Sequence, residues 1–109
     1  MTLVRIDGAS IQDKASFHRA FAAAFGFPDY YGGNFDAWID VMTDVVEARH
    51  ERSATGADAA SSVVVVIEDA DGFKHRCPDV WLAFLECTAV VNGRSAVSGQ
   101  AARLVIASL

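Results

Sequence analysis

Residues 63–67 read Val-Val-Val-Val-Ile, five consecutive β-branched residues with no alternation of polar and apolar side chains. Such a run predicts a strand that is buried on both faces, as the strands of parallel sheets are. Shorter apolar stretches at residues 2–6 and 103–108 predict two further strands. Because helices are predicted between the strands, we expect an α/β fold with the order β-α-α-β-α-β and a small, largely parallel sheet packed against helices.

Three segments have the apolar periodicity of helices. The first is predicted from about Asp13 to Gly26, where a glycine and the following Pro28 stop the helix. The second is predicted over residues 34–48, with an asparagine as its N-cap. The third, over residues 80–91, is almost entirely apolar and is expected to end near an Asn-Gly pair.

The remaining segments are predicted to connect these elements. Residues 49–62 are polar and small, which is typical of a mobile loop. Residues 68–72 are expected to form a polar turn that leads into a short helix over residues 73–76. With no internal repeat, residues 1–109 are interpreted as one domain.

Composition limits the class of protein. The chain has 109 residues, of which 52% are hydrophobic and 21% charged, and this excludes a disordered chain. No apolar run reaches the roughly 20 residues of a membrane-spanning helix, and a charge comes too early in the chain for a signal peptide. Cys77 and Cys87 are too few for a disulfide scaffold and are expected to be free thiols. We therefore expect a cytoplasmic protein.

The acidic residues are concentrated in one segment. Fourteen acidic residues against nine basic ones give a net charge of −5. Residues 27–48 contain five of the acids and no lysine or arginine, so they account for the whole imbalance. Since affinity for nucleic acid depends on cationic contacts, this distribution argues against a nucleic-acid partner.

Motifs of the common enzyme classes are missing from the sequence. It contains no phosphate-binding loop, dinucleotide fingerprint, nucleophile elbow or zinc-protease motif. His75 and Cys77 have metal-ligand spacing, but no further ligands of matching spacing follow them. We therefore expect no catalytic residues, no metal site and no cofactor.

The second predicted helix has two distinct faces. On a helical wheel that starts at Phe35, its apolar residues lie between about −80° and +40°. Its acids lie between about 100° and 180° and are Asp36, Asp40, Asp44 and Glu47. Like charges four residues apart cost about 0.2–0.5 kcal/mol per pair, so helix stability does not favour this arrangement. The face is either a solvated surface or a binding surface for a basic partner.

The segment before this helix favours the second alternative. Residues 30–34 read Tyr-Tyr-Gly-Gly-Asn and place two aromatic side chains directly before the first acid of the helix. Aromatic anchors beside clustered charge are typical of protein–protein interfaces.

Residues 28–40, Pro-Asp-Tyr-Tyr-Gly-Gly-Asn-Phe-Asp-Ala-Trp-Ile-Asp, resemble the barstar family of small intracellular inhibitors of microbial ribonucleases such as barnase. The resemblance implies a three-stranded parallel sheet, and an acidic helix that blocks a nuclease active site together with the preceding loop. The partner-binding residues it implies are Tyr30, Gly32, Asn34, Asp36, Asp40, Thr43 and, on a later helix, Glu86. Possible additional contacts are Tyr31, Phe35, Ile39 and Asp44.

The sequence departs from the family pattern at several places. Two tryptophans of the family are replaced by Ile39 and Val45, and residues 49–62 and 94–102 are additions. The implied partner is a basic, extracellular-type ribonuclease or a ribonuclease toxin, with no nucleic acid and no membrane involved. Two alternatives stay open: a regulatory module that binds another basic protein, and a metal-dependent hydrolase that uses Asp36 and Asp40.

Overall fold

Strands and helices follow one another in the order that the sequence predicts. The computed structural model describes residues 2–53, 62–97, 99 and 103–109, with the backbone alone for residues 49–53. The elements are β1 (Thr2–Asp7), a 3₁₀ turn (Gly8–Ser10), α1 (Lys14–Phe25), α2 (Phe35–Ser53), β2 (Ser62–Glu68), α3 (Ala70–Arg76), α4 (Pro78–Val97) and β3 (Arg103–Ser108). The order β-α-α-β-α-β is confirmed, with the short α3 between β2 and the long α4.

The three strands form one parallel sheet with β2 in the middle. Val65 of β2 lies between Val4 of β1 and Ile106 of β3. Parallel neighbours need crossover connections, and here helices supply them. The predicted α/β class is therefore confirmed. Helix α2 packs against both β2 and α4.

Four of the five residues in 63–67 are buried, as their continuous apolar sequence predicts. The exception is Val64, which is half-buried. Val64 pairs with Leu3 and Val105, whose exposed fractions are 52% and 42%. The sheet is therefore covered on one face, and only partly covered on the other.

Side-chain caps set the ends of the first two helices. Asp13 accepts a hydrogen bond from the Ser16 amide at 2.8 Å, and the Ser16 hydroxyl oxygen accepts one from the Asp13 amide at 3.0 Å. Gly26 ends α1 in a left-handed conformation with φ of 65°, which favours glycine. The Asn34 side chain accepts a hydrogen bond from the Ala37 amide at 2.8 Å and caps α2 as predicted.

Helices α2 and α3 have boundaries that differ from the prediction. Helix α2 continues to Ser53, five residues beyond the predicted end, so the segment predicted as a loop begins as helix. Residues 54–61 of that segment lie outside the described residues. Helix α3 begins at Ala70 rather than at Phe73, because the chain turns at Asp69, which has a φ of 53°.

Helix α4 also continues past its predicted end. It runs from Pro78 to Val97, so the Asn92–Gly93 pair lies inside it. The Asn92 side chain exchanges two hydrogen bonds with the backbone of Leu104 in β3, at 2.8 and 3.0 Å. Asn92 therefore ties the helix to the sheet instead of ending it.

The core between helices and sheet is rich in aromatic side chains. Five of them have no exposed surface and come from all four helices: Phe17, Phe21, Trp38, Phe73 and Phe84. Neighbouring ring centroids in this group lie 4.7–6.5 Å apart, within the usual range for aromatic pairs. Because Trp38 belongs to this cluster, the inner face of α2 is held in the core.

Candidate partner-binding surface

Three aspartates of α2 lie on the side opposite its buried residues. Trp38 and Met42 have no exposed surface, whereas Asp36, Asp40 and Asp44 are exposed. Residues four apart on a helix are about 6 Å apart along its axis, so the three carboxylates form a row. The fourth acid of the predicted face, Glu47, is half-buried.

Asp40 has a cationic partner that the sequence does not predict. Its carboxylate accepts a hydrogen bond from the guanidinium of Arg94 in α4 at 2.9 Å. The two residues are 54 positions apart, and only the packing of α4 against α2 brings them together. No local sequence signal could have indicated this ion pair.

The two tyrosines before α2 have different surroundings. Tyr30 is 86% exposed, whereas Tyr31 is half-buried and its hydroxyl is hydrogen-bonded to Nδ1 of the buried His18 in α1. Burial raises the pKa of Tyr31 to about 12. Tyr31 also packs against the ring of Phe27, at a centroid distance of 4.7 Å. Tyr31 therefore fixes the loop, and Tyr30 is presented to solvent.

Two glycines lie between the tyrosines and the helix. Gly32 and Gly33 are exposed, and Gly33 has a φ of 67°, a left-handed conformation that favours glycine. The turn at Gly33 leads the chain into the cap residue Asn34. Gly32 and Asn34 are therefore brought to the exposed N-terminal end of α2, beside Asp36, whereas Tyr30 lines a cleft together with Val41 and Asp44 in the middle of the helix.

The predicted contact residue Glu86 lies in α4, next in the chain to Cys87. Burial raises the pKa of its neighbour Cys87, and the negative charges of Glu86 and Asp36 raise it further. A charge has such an effect only at short range, so Cys87 of α4 lies close to Asp36 of α2. Glu86 itself is exposed. The packing of α4 against α2 therefore places Glu86 one residue from a side chain that lies near Asp36.

Three of the predicted site residues contribute less exposed surface. Thr43 is 8% exposed, and its hydroxyl donates a hydrogen bond to the carbonyl of Ile39 at 2.6 Å. Ile39 and Phe35 are half-buried against the core. Phe35 also packs against the ring of Phe17, at a centroid distance of 5.2 Å. These side chains pack beneath the candidate surface and contribute little exposed area to it.

The described residues contain no group of three or more histidine, cysteine, aspartate or glutamate side chains arranged to hold a metal ion. His75 is exposed and Cys77 is buried, so the two side chains that have metal-ligand spacing differ in their access to solvent. In the described part of the chain, no helix combines the length and the apolar character needed to cross a membrane.

Comparison with known proteins identifies the family. No curated protein sequence matches the chain significantly. The sequence profile of the family described as Barstar (barnase inhibitor) matches residues 1–107, which is nearly the whole chain. The three-stranded parallel sheet, with four helices in the order described above, agrees with a barstar-like fold. The chain therefore belongs to the Barstar family, a family of ribonuclease inhibitors.

Proposed function

We propose that this protein is an intracellular inhibitor of a basic microbial ribonuclease, acting as an antidote or immunity protein. Its acidic α2 face and the preceding loop would occupy the active site of the nuclease and exclude RNA. Membership of the Barstar family supports the inhibitor class. The row of exposed carboxylates on a helix that is anchored in the core supports the mode of binding.

The row of carboxylates is the observation that carries this proposal. A ribonuclease needs cationic groups that bind and stabilise phosphate, so its active site attracts anions. Carboxylates about 6 Å apart on a rigid helix offer negative charge at a spacing similar to that of successive phosphates, and they contain no bond that the enzyme can cleave. Because Trp38 holds the helix in the core, little backbone order has to be gained on binding.

The loop adds an aromatic contact to this charged surface. Tyrosine is enriched among the residues that dominate binding energy at interfaces, because its ring is large and rigid. At 86% exposure, Tyr30 has nearly its whole ring available for a partner. We propose that Tyr30 packs on the rim of the nuclease active site while Asp36 and Asp40 reach into it.

The proposal is tested by inhibition and binding measurements on a panel of purified microbial ribonucleases that includes barnase. We expect stoichiometric loss of RNA hydrolysis with at least one of them. Asp40→Asn should weaken that complex by about 30-fold or more, because it leaves cationic groups of the nuclease buried and unpaired. Inhibition is followed by cleavage of a fluorogenic RNA, and affinity by titration calorimetry.

Asp71→Asn is the matched control, because Asp71 is an exposed aspartate on α3 and the substitution changes net charge by the same amount. We expect this variant to bind as tightly as the parent protein. A panel in which no ribonuclease is inhibited would contradict the proposed function. Equal affinities of Asp40→Asn and the parent protein would contradict the proposed mode of binding.

A further inference from the structure

A cleft separates the loop before α2 from the middle of that helix. It has a volume of about 250 Å³, and its walls include Phe27, Pro28, Val41 and Val45. Pockets for whole small molecules usually measure 300–1,000 Å³, so this cleft is of a size for one side chain of a partner. Tyr30 and Asp44 also line it.

The charge at the cleft selects its occupant. Among the described residues that line it, only Asp44 carries a charge, and its side chain is exposed. Within the described part of the chain Asp44 takes part in no ion pair, in contrast to Asp40, which is paired with Arg94. An acidic side chain would be repelled here, and an apolar one would shield the Asp44 carboxylate from water without replacing its hydrogen bonds.

We propose that this cleft binds an arginine side chain of the partner ribonuclease, an inference that rests on the proposed function. The aliphatic stem of the arginine packs against Val41 and Val45, while its guanidinium reaches the Asp44 carboxylate. The exposed ring of Tyr30 covers the guanidinium by a cation–π contact. Arginine fits better than lysine, because its planar group binds a carboxylate through two hydrogen bonds and stacks on aromatic rings.

This site selects among ribonucleases. Asp44 lies one helical turn beyond Asp40, so an arginine bound there lies beside the nuclease groups that meet Asp36 and Asp40. A ribonuclease with an arginine at that position gains a contact that one without it lacks. Asp44 and Tyr30 therefore determine specificity, while Asp40 provides the contact that all target nucleases share.

The test uses the free, full-length protein labelled with ¹⁵N and a small probe, N-acetyl-arginine methylamide. We expect saturable shifts of the backbone amide signals of Val41, Asp44 and Val45, with a dissociation constant in the millimolar range. The citrulline analogue has nearly the same shape without the charge and should bind at least fivefold more weakly. Asp44→Asn should remove the difference in affinity between the arginine and citrulline probes, and Asp71→Asn should leave that difference unchanged. Equal shifts with the two probes, or no saturable shift at these amides, would overturn the proposal.

A second measurement separates this inference from the proposed function. The affinities of Asp44→Asn and Asp40→Asn for an inhibited ribonuclease from the panel are compared. If the nuclease complex depends on Asp40 and the arginine probe does not bind, the cleft proposal fails and the inhibitor function stands. If no nuclease binds and the probe still binds through Asp44, the cleft is a site for arginine side chains and the inhibitor function fails.

Discussion

At the scale of single residues, the pair formed by Asp40 and Arg94 changes the energetics of the acidic face. On the helix alone, Asp40 is repelled by Asp36 and Asp44 at a cost of about 0.2–0.5 kcal/mol per pair. The Arg94 guanidinium offsets this repulsion at 2.9 Å, although both side chains are substantially exposed, which limits such pairs to about 0–1 kcal/mol. Removal of Asp40 relieves the repulsion but also removes the ion pair, so the free energy of unfolding should change by close to zero.

Arg94→Gln is predicted to strengthen the complex with an inhibited ribonuclease severalfold. In the free protein Arg94 competes with cationic groups of the nuclease for the Asp40 carboxylate, and the substitution removes that competitor. The free energy of unfolding should fall by no more than about 1 kcal/mol, because the pair is exposed. Stopped-flow binding and urea denaturation measure the two effects.

Arg5→Gln is the control for that experiment, since it removes one positive charge of β1 that pairs with Glu68 of the neighbouring β2, at 3.5 Å. If Arg5→Gln strengthens binding as much as Arg94→Gln does, the effect comes from net charge alone. The explanation through Asp40 would then be wrong.

At the scale of elements, one hydrogen bond joins α1 to the loop that precedes α2. His18 of α1 is 3% exposed and is hydrogen-bonded to the Tyr31 hydroxyl. Burial lowers the pKa of His18 below its ordinary value of 6.5, and the positive charge of Lys14 lowers it further. No hydrogen-bond partner for its Nε2 lies among the described residues, so a second proton on the ring would be buried without an acceptor.

The free energy of unfolding is predicted to decrease as the pH falls below about 6.5. In the unfolded chain His18 takes up a proton near pH 6.5, whereas in the folded protein it does so only at lower pH. Between these values the unfolded state binds more protons, so stability rises with pH and is lost on acidification. Urea denaturation at pH steps from 7.5 to 5 measures the slope, which His18→Gln should remove from this interval.

Asp13 provides a contrast on the same helix. Hydrogen bonds from the Ser16 amide and hydroxyl lower the pKa of Asp13 below its ordinary value of 3.8. The stability it contributes is therefore present above pH 3.8 and is lost below it, outside the interval assigned to His18. An unchanged slope between pH 6.5 and 5 in His18→Gln would contradict the assignment to this histidine.

At the scale of the whole molecule, the distribution of charge governs how fast a partner is captured. The net charge is −5, and residues 27–48 contain five acids and no base. A field of one sign over one surface accelerates the approach of an oppositely charged protein. Dissolved salt screens that field, with a Debye length of about 10 Å at 0.1 M ionic strength.

The association rate constant with an inhibited basic ribonuclease is predicted to fall steeply as salt rises, while the dissociation rate constant changes little. Stopped-flow measurements between low salt and 0.5 M NaCl give both constants. Asp36→Asn should flatten the salt dependence more than the control Asp71→Asn, because Asp36 lies on the surface that faces the partner. An association rate constant that does not change with salt would contradict steering by this surface.

Much of the fold could be predicted because it depends on neighbours in the sequence. Unbroken β-branched residues at 63–67 indicate the central strand, and the caps Asp13, Gly26 and Asn34 act through bonds within a few residues. The end of α4 could not be predicted in the same way. Its Asn-Gly pair is typical of a helix end, but Asn92 forms its hydrogen bonds with the distant β3.

At the candidate surface, the composition of the α2 face could be predicted from the sequence alone, because helical periodicity separates its carboxylates from its buried side. Tertiary structure decided which groups stand beside those carboxylates. Packing of α4 on α2 brings Arg94 to Asp40 and Cys87 near Asp36, and packing of α1 on the loop buries Tyr31 while Tyr30 stays exposed. Such contacts join residues that are far apart in the chain, and neither spacing nor composition encodes which helix faces will meet.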